Sequence, residues 1–406
     1  MNPVILPKTS AMSILSTIQK EAEAIFPDII SLRRKIHANP ELAFEEFGTA
    51  ETVKTFLKDA GIPFKDGVAK TGVVALIEGR GPGKTIALRG DMDALPIHEK
   101  NEVDYCSKNP GKMHACGHDV HTSSLLGTAH ILNKVKEHFS GTIKLIFQPS
   151  EEKIPGGASV MIKEGVLKSP DVKAIIGQHV MPYLDAGKIG FRGGMYMASA
   201  DEIYLTIKGK GGHGANPHTT IDPVAIAAQV ISALQTVVSR TMDPRIPAVL
   251  TFGKIIANGA TNIIPDEVYM EGTFRTLNEN WRAKAHQQIT SIVNGICQAM
   301  GAEANLEIRK GYPVLYNDEA LTARAKTAAT EYVGKENIVD LDLWMAAEDF
   351  AWYSQEIPGC FYRLGTRNEA KGITHGLHTP NFNIDENAMK NSTGLMAWMA
   401  VKELGE

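Results

Sequence analysis

The chain has 406 residues, of which 43% are hydrophobic and 22% are charged, a composition typical of a globular protein with two or three domains. Its 42 lysines and arginines against 46 aspartates and glutamates give a net charge of -4, which disfavours sequence-independent binding to nucleic acid. No apolar run approaches the roughly 18–20 residues of a membrane span, and residues 1–20 lack an apolar signal-peptide core, so we expect a cytoplasmic protein that binds neither nucleic acid nor a membrane.

From residue 14 to about residue 190, predicted helices alternate with predicted apolar strands. Apolar residues recur every three or four positions from Ile14 to Ile36, which predicts an amphipathic helix that ends at Asn39-Pro40. Similar patterns predict helices over 49–60, 119–137 and 157–164, and strands over 72–77, 85–88, 142–147 and 173–178. Because these strands are short and fully apolar, we expect an α/β fold with a largely parallel sheet flanked by helices.

The pattern changes near residue 195. The next segments are predicted to be a strand over 202–208, a helix over 223–239, strands over 248–256 and 267–274, a helix over 280–300 and a strand over 305–309. This order is typical of a small α+β sandwich. The helix–strand alternation returns at residue 311 and ends with an amphipathic helix over 385–404. We therefore expect a discontinuous catalytic domain, 1–194 and 311–406, interrupted by an inserted α+β domain at 195–310.

A histidine-rich segment carries the first candidate site. Six of the 13 histidines lie between His98 and His138, and residues 114–121 read HACGHDVH. Cys116 and His118 flank Gly117, so a bend at this glycine could aim both side chains at one point. Cysteine thiolate and neutral histidine are ligands that zinc and related metals prefer, and a nearby helix start favours the thiolate. The other interpretation is a buried thiol beside helix-capping polar residues. The four cysteines are too few in 406 residues to form a disulfide framework.

Carboxylates follow two of the predicted strands. Residues 147–152 read FQPSEE and residues 89–96 read RGDMDALP. Ligands bind beyond the strand ends of open α/β sheets, and of two adjacent acids one can bind a metal while the other accepts a proton. A solvated helix start for Glu151 and Glu152, and a turn stabilised by an aspartate for 89–96, remain open.

Two further histidines could complete a metal site. His179 follows the apolar run 174–176, so it also lies at a strand end, and His378 lies in a loop rich in glycine and proline. With Cys116, His118 and a glutamate, they supply enough ligands for two metal ions that keep open positions.

Three residues of the inserted domain are candidates for substrate contact. His213 lies in the loop 209–214, which reads GKGGHG and lacks the Gly-Lys-Ser/Thr ending of a phosphate-binding P-loop. Asn262 and Arg275 could bind a carboxylate or a developing oxyanion. Arg275 could equally be a surface salt-bridge residue.

The ordered motifs at 32–42, 89–96, 114–119, 148–152, 212–213 and 378–380 resemble the amidohydrolase branch of the aminoacylase/carboxypeptidase metallopeptidases. The resemblance extends from about Ile30 to Phe382. This branch includes hippurate hydrolases, N-acyl-L-amino-acid amidohydrolases and auxin-conjugate hydrolases.

The resemblance implies two divalent metal ions per subunit, with Zn, Mn, Co and Ni all compatible with the ligands. By analogy, Cys116 bridges the two ions. The ligands Glu152 and His378 complete one site, and His118 and His179 complete the other.

The resemblance also assigns catalytic roles. Glu151 would be the general base and acid, and His213 would reach the carbonyl oxygen from its own subunit or from a partner subunit. Asp93 occupies a catalytic acid position of the wider clan, but Asp91 stands where that clan has a ligand histidine, which leaves the roles of both aspartates open.

The implied reaction is hydrolysis of the amide bond of N-acyl-L-amino acids by a metal-activated water. An N-acetyldiaminopimelate deacetylase and a short-peptide metallopeptidase are alternatives within this class. A cysteine amidase with Cys116 as nucleophile and His118 or His121 as base is an alternative of a different class. The inserted domain is expected to act as a lid and to form a homodimer or a dimer-based oligomer.

Overall fold

The computed structural model describes residues 11–405 and divides into two compact units. The first unit comprises the chain up to Gly194, Tyr316–Asp342 and the chain from Trp352 onward, and the second comprises Met195–Leu315 and Leu343–Ala351. Two segments that the sequence analysis placed in the catalytic domain, 311–315 and 343–351, therefore lie in the second unit. Residues 1–10, part of the segment for which no signal peptide is predicted, lie outside the described residues.

Helices and strands alternate along most of the described chain. The α-helices are α1 (Ala11–His37), α2 (Phe47–Asp59), α3 (His118–Val135), α4 (Gly157–Lys163), α5 (Pro223–Thr236), α6 (Glu279–Ala299), α7 (Glu319–Val333), α8 (Ala351–Glu356) and α9 (Met389–Gly405). The strands are β1 (Phe64–Val68), β2 (Gly72–Glu78), β3 (Thr85–Asp91), β4 (Thr142–Gln148), β5 (Val172–Asp185), β6 (Ile189–Phe191), β7 (Gly194–Met197), β8 (Asp201–Lys208), β9 (Gly212–His213), β10 (Ala248–Ile256), β11 (Ile263–Ile264), β12 (Glu267–Thr276), β13 (Glu303–Lys310), β14 (Leu315–Asn317), β15 (Ile338–Asp340) and β16 (Gly359–Arg367).

The first unit is built on an eight-stranded sheet in the order β1-β2-β4-β3-β5-β16-β6-β15. Its centre, β4-β3-β5-β16, is parallel, whereas β1, β2 and β6 pair antiparallel with their neighbours. The α/β fold is confirmed, but the sheet is mixed at its edges rather than largely parallel throughout. All residues of β3 are buried, as expected for a strand covered by helices on both faces.

Three neighbouring strands of this sheet position the candidate site. In the parallel register, Asp91 at the end of β3 lies beside Gln148 at the end of β4. Likewise, Arg89 lies beside Gly177 of β5, two residues before His179. Parallel strands end at the same edge of a sheet, so the residues that follow β3 and β4 meet the second half of β5.

The second unit contains a four-stranded antiparallel sheet in the order β10-β12-β8-β13. Helices α5 and α6 pack on it, and the strand–helix–strand–strand–helix–strand order of the prediction is confirmed.

The expectation that no apolar segment is long enough to span a membrane needs correction. The segment Pro223–Thr241 is long and apolar enough by length and composition, and 28% of its window is buried. This segment buries Ile226, Val230 and Leu234 in the core of the second unit.

Candidate metal centre

A sharp bend at Gly117 brings Cys116 next to the start of α3. Gly117 has a φ of 80°, in the left-handed region that residues with a Cβ atom rarely adopt. A Cβ atom at this position would lie 2.5 Å from Cγ2 of Val180. Glycine is therefore required both by the backbone conformation and by the close approach of β5.

The five predicted metal ligands lie together in the first unit. The Cys116 Sγ atom lies 3.4 Å from Nε2 of His179 and 3.3 Å from Nε2 of His378. The latter nitrogen lies 3.3 Å from Oε1 of Glu152. Ligand atoms lie within 4.8 Å of one another in two groups that share Cys116: Cys116, His118 and His179, and Cys116, Glu152 and His378.

The hydrogen bonds of these residues leave ring nitrogens and a carboxylate oxygen available to a cation. His179 Nδ1 lies 2.7 Å from the carbonyl oxygen of Val180, so it carries the proton and Nε2 keeps its lone pair. Within the described chain, Nε2 of His118 and Oε1 of Glu152 are buried without a hydrogen-bond partner. Buried polar atoms nearly always have a hydrogen-bond partner. An imidazole nitrogen and a carboxylate oxygen without such partners, beside a thiol, are ligand types that divalent transition metals bind.

His121 belongs to the support of this site rather than to its ligands. The Val180 N–H donates to Nε2 of His121 over 2.9 Å. The other nitrogen, Nδ1, must then carry the proton, which it donates to Oδ1 of Asp91 over 2.6 Å. Both nitrogens are occupied, so His121 has no lone pair with which to act as the base of a cysteine amidase.

The two aspartates after β3 hold neighbouring groups in place. Asp93 accepts hydrogen bonds from the N–H groups of Glu151 and Glu152, each over 2.9 Å. Its Oδ1 atom also lies 3.2 Å from Nδ1 of His118. One carboxylate therefore orients both a ligand histidine and residues 150–152, here called the Glu-Glu turn. Asp91 pairs with Arg89, a buried charge that the sequence analysis did not single out.

Opposite charges and burial shift the protonation of the ligand side chains. Burial disfavours charged His118, but Asp91 and Asp93 outweigh it and raise the pKa of His118 to about 10. Burial raises the pKa of the Cys116 thiol well above its usual value, and Glu152 and Glu151 add to this shift. The helix start therefore does not offset the effect of burial in the protein alone, and a cation bound at Cys116 would favour the thiolate.

Glu151 lies beside the ligand groups, and the residue is 6% exposed. One of its carboxylate oxygens lies within 4.8 Å of a ring nitrogen of His118 and a carboxylate oxygen of Glu152. The preceding residue, Ser150, has a φ of 52°, an uncommon conformation for a residue with a Cβ atom. His378 has a φ of 59°, so two turns at this site adopt left-handed backbone conformations.

The predicted substrate residues lie in the second unit. His213 is exposed, and its Nδ1 atom accepts a hydrogen bond from the N–H of Ala215 over 3.1 Å, so Nε2 carries the proton. The Asn262 backbone contacts the same loop, because its carbonyl accepts a hydrogen bond from the N–H of Gly214 over 2.8 Å. Arg275 is half-buried and donates to the backbone carbonyl of Met345 over 3.1 Å, a contact within the unit rather than a surface salt bridge.

Comparison with known proteins gives extensive matches. The model of Peptidase family M20/M25/M40 matches residues 87–401. An N-acetyl-L-cysteine deacetylase from Bacillus subtilis is 42% identical over 375 residues, which cover 92% of this chain and 86% of the relative. An N-acyl-L-amino acid amidohydrolase from Geobacillus stearothermophilus is 45% identical over 303 residues, which cover 74% of this chain and 81% of the relative.

A solved structure matches over nearly the whole length of the chain. The YXEP protein of Bacillus subtilis, a dinuclear metal-binding peptidase from the M20 family, is 36% identical and superposes with a TM-score of 0.80. The match covers 94% of this chain and 99% of that protein. The likeness in fold therefore extends to both units.

Proposed function

Because this chain belongs to Peptidase family M20/M25/M40 and is a metal-dependent amidohydrolase of that family, we propose that its substrates are N-acyl-L-amino acids and its products a carboxylic acid and a free amino acid. The observation that carries this proposal is the pair of ligand groups that share Cys116, with the buried carboxylate of Glu151 beside them. The names of two relatives, an N-acetyl-L-cysteine deacetylase and an N-acyl-L-amino acid amidohydrolase, support the substrate class.

Five side chains would hold two divalent cations. Cys116, His118 and His179 would hold one ion, and the thiolate of Cys116 would be shared with a second ion held by Glu152 and His378. Zn, Mn, Co and Ni all accept this mixture of sulfur, nitrogen and oxygen ligands. When bound, such cations lower the pKa of water and polarise a carbonyl oxygen.

Glu151 carries the proton transfers. Its carboxylate accepts a proton from the attacking water and passes this proton to the nitrogen of the leaving amino acid. The buried position of Glu151 keeps bulk water from competing for that proton. Asp93 does not contact the reacting atoms in this proposal, since its oxygens are used to hold the Glu151 and Glu152 amides and His118.

Three side chains of the second unit are the candidates for polar contact with substrate, within one subunit or across the dimer. His213 carries its proton on Nε2, so it donates a hydrogen bond to the carbonyl oxygen as negative charge develops there. Asn262 and Arg275 supply an amide and a guanidinium that suit the carboxylate of the amino acid.

The protein forms a homodimer through the second unit. Helix α5 contains no charged residue, although Val224 is 45% exposed and Ala225 and Ala228 are also exposed. Strand β10 is an edge of the antiparallel sheet and exposes apolar residues such as Ile255, which is 54% exposed. An uncharged helix face and an edge strand whose exposed residues are mostly apolar, apart from Lys254, are typical of a surface that pairs with a second copy.

The compartment is the cytoplasm in this proposal. Cys116, Cys297, Cys360 and Cys106 are all free thiols, and a metal-binding thiolate at Cys116 needs an environment in which cysteine stays reduced.

The test is amino-acid release by metal-stripped protein, with and without added Zn or Mn. The substrates are N-acetyl, N-benzoyl and indoleacetyl amino acids, N-acetyldiaminopimelate and dipeptides. We expect release from simple N-acyl amino acids only after metal is restored. Release from N-acetyldiaminopimelate alone, or from dipeptides alone, would assign the enzyme to that substrate class instead. No release from any substrate with two metals bound would refute the proposed substrate class.

A further inference from the structure

A buried glutamate outside every motif of the ligand set contacts the Glu-Glu turn. Glu46, the residue before α2, is 0% exposed. Its Oε1 atom accepts hydrogen bonds from the N–H groups of Phe44 (2.9 Å) and Ser150 (2.8 Å). Its Oε2 atom accepts from the hydroxyl of Thr71 over 2.5 Å. One carboxylate therefore joins the α2 start, the β1–β2 turn and the segment after β4.

Three successive amides of the Glu-Glu turn are held by two carboxylates. The Ser150 N–H donates to Glu46, and the N–H groups of Glu151 and Glu152 donate to Asp93. Ser150 adopts its left-handed conformation, with a φ of 52°, at a cost that surrounding contacts must offset. The contact from Glu46 acts on this residue directly.

We propose that Glu46 is a positioning residue that fixes the backbone at Ser150, and so directs Glu151 toward proton transfer and Glu152 toward metal binding. The catalytic half of this inference rests on the proposed function, whereas the metal-binding half does not. No part of it requires Glu46 to touch substrate.

The number and direction of its hydrogen bonds, rather than its charge, give Glu46 this role. Burial raises the pKa of its carboxyl to about 7, although the hydrogen bond from Thr71 opposes the shift. The ionised form is therefore not strongly favoured here. A neutral glutamine can offer one oxygen to both amides and an N–H to the hydroxyl oxygen of Thr71, because a threonine hydroxyl both donates and accepts.

Glu41 provides a matched control in the same region. Its carboxylate also accepts three hydrogen bonds, from the N–H groups of Gly48 (2.9 Å) and Thr49 (2.8 Å) and from the Thr49 hydroxyl (3.0 Å). All three donors belong to the first residues of α2. The two glutamates thus share chemistry and neighbouring elements, but Glu46 alone of the pair contacts the Glu-Glu turn.

The experiment compares Glu46→Asp, Glu46→Gln and Glu41→Asp in the metal-loaded full chain. The readouts are kcat and KM for an N-acetyl amino acid, Zn²⁺ affinity and Tm. Glu46→Asp keeps the charge but is one methylene too short to reach Ser150 and Thr71 together. We expect it to lower kcat and Zn²⁺ affinity by about 10–100-fold, the usual cost of losing a group that orients metal ligands, with a smaller change in KM.

Glu46→Gln should recover most of the kcat that Glu46→Asp loses, and Glu41→Asp should lower Tm with kcat and Zn²⁺ affinity unchanged. An active Glu46→Asp, or an inactive Glu46→Gln beside it, would overturn the proposal, since charge or mere folding would then explain the site. If Glu46→Asp does not fold, Glu46→Gln is the remaining test. Wild-type kcat and Zn²⁺ affinity in Glu46→Gln would support the proposal, and loss of either in a folded Glu46→Gln would overturn it. If the wild-type chain releases no amino acid from any substrate, the proposed function fails, and Zn²⁺ affinity still tests Glu46.

Discussion

Glu151 and Glu152 are adjacent in the chain but have different surroundings. Glu152 has an oxygen 3.3 Å from Nε2 of His378, within the group that also contains Cys116. Glu151 is more deeply buried and has a carboxylate oxygen within 4.8 Å of ligand atoms of His118 and Glu152. The two carboxylates thus have different neighbours, so Glu152 can bind metal while Glu151 carries the proton transfer.

This division predicts the effect of Glu151→Gln. The amide cannot accept the proton of water, so kcat should fall by about 10²–10⁴-fold, the usual contribution of a general base. Metal content, measured by plasma mass spectrometry, should stay at the wild-type value because Glu151 is not a ligand. Glu152→Gln is the comparison, and it should lose metal as well as activity. Loss of metal from Glu151→Gln would instead make Glu151 a ligand.

Three parallel strands and the start of one helix assemble the ligands from distant parts of the chain. Asp91 ends β3, Gln148 ends β4 and His179 lies within β5. The bend at Gly117 turns the chain into α3 next to β5, with Val180 against the glycine. The geometry of Cys116 and His118 therefore depends on how closely this bend can approach β5.

Gly117→Ala tests that dependence, and Gly111→Ala is its control. Both glycines have positive φ, 80° and 77°, so both substitutions should cost about 1–2 kcal/mol of backbone energy. At Gly111 a new Cβ atom would meet nothing within 4 Å, whereas at Gly117 it would lie 2.5 Å from Val180. We expect Gly117→Ala alone to weaken Zn²⁺ binding and activity, by about 10–100-fold. Zn²⁺ affinity is measured by calorimetric titration and activity by the rate of amino-acid release. Equal losses in both variants would contradict the dependence of the metal site on the bend at Gly117.

The sequence predicted the elements with strong periodicity and the residues with distinctive chemistry. The apolar strands β3 and β4 and the amphipathic α1 were found because fully buried and half-buried segments have different patterns. The edge strand β1 was missed because its residues are mostly exposed, which leaves no alternation to detect. Glu46 was missed because an acid just before a helix is typical of ordinary capping, and its contact with Ser150 spans 104 residues.

The first unit needs both of its separated parts to complete the ligand group. Cys116 and His378 are 262 positions apart, and the whole second unit lies between them in the chain. The metal site therefore forms only when the C-terminal part has packed against the N-terminal part. A cation that binds this group stabilises the folded first unit as a whole, since it binds the native arrangement and not the separated segments.

The uncharged face of α5 in the second unit makes self-association the property to test in the whole molecule. We predict that Ala228→Arg, on the exposed face of α5, changes the mass in solution from dimer to monomer, because a buried unpaired charge disfavours an interface strongly. Alanine and arginine have similar helix propensities, so Tm should change little. The control is Asn294→Arg, at an exposed position of α6, which should remain dimeric. The measurement is sedimentation velocity at micromolar concentration. A dimeric Ala228→Arg would move the interface away from α5, and a monomeric wild-type chain would refute the dimer itself.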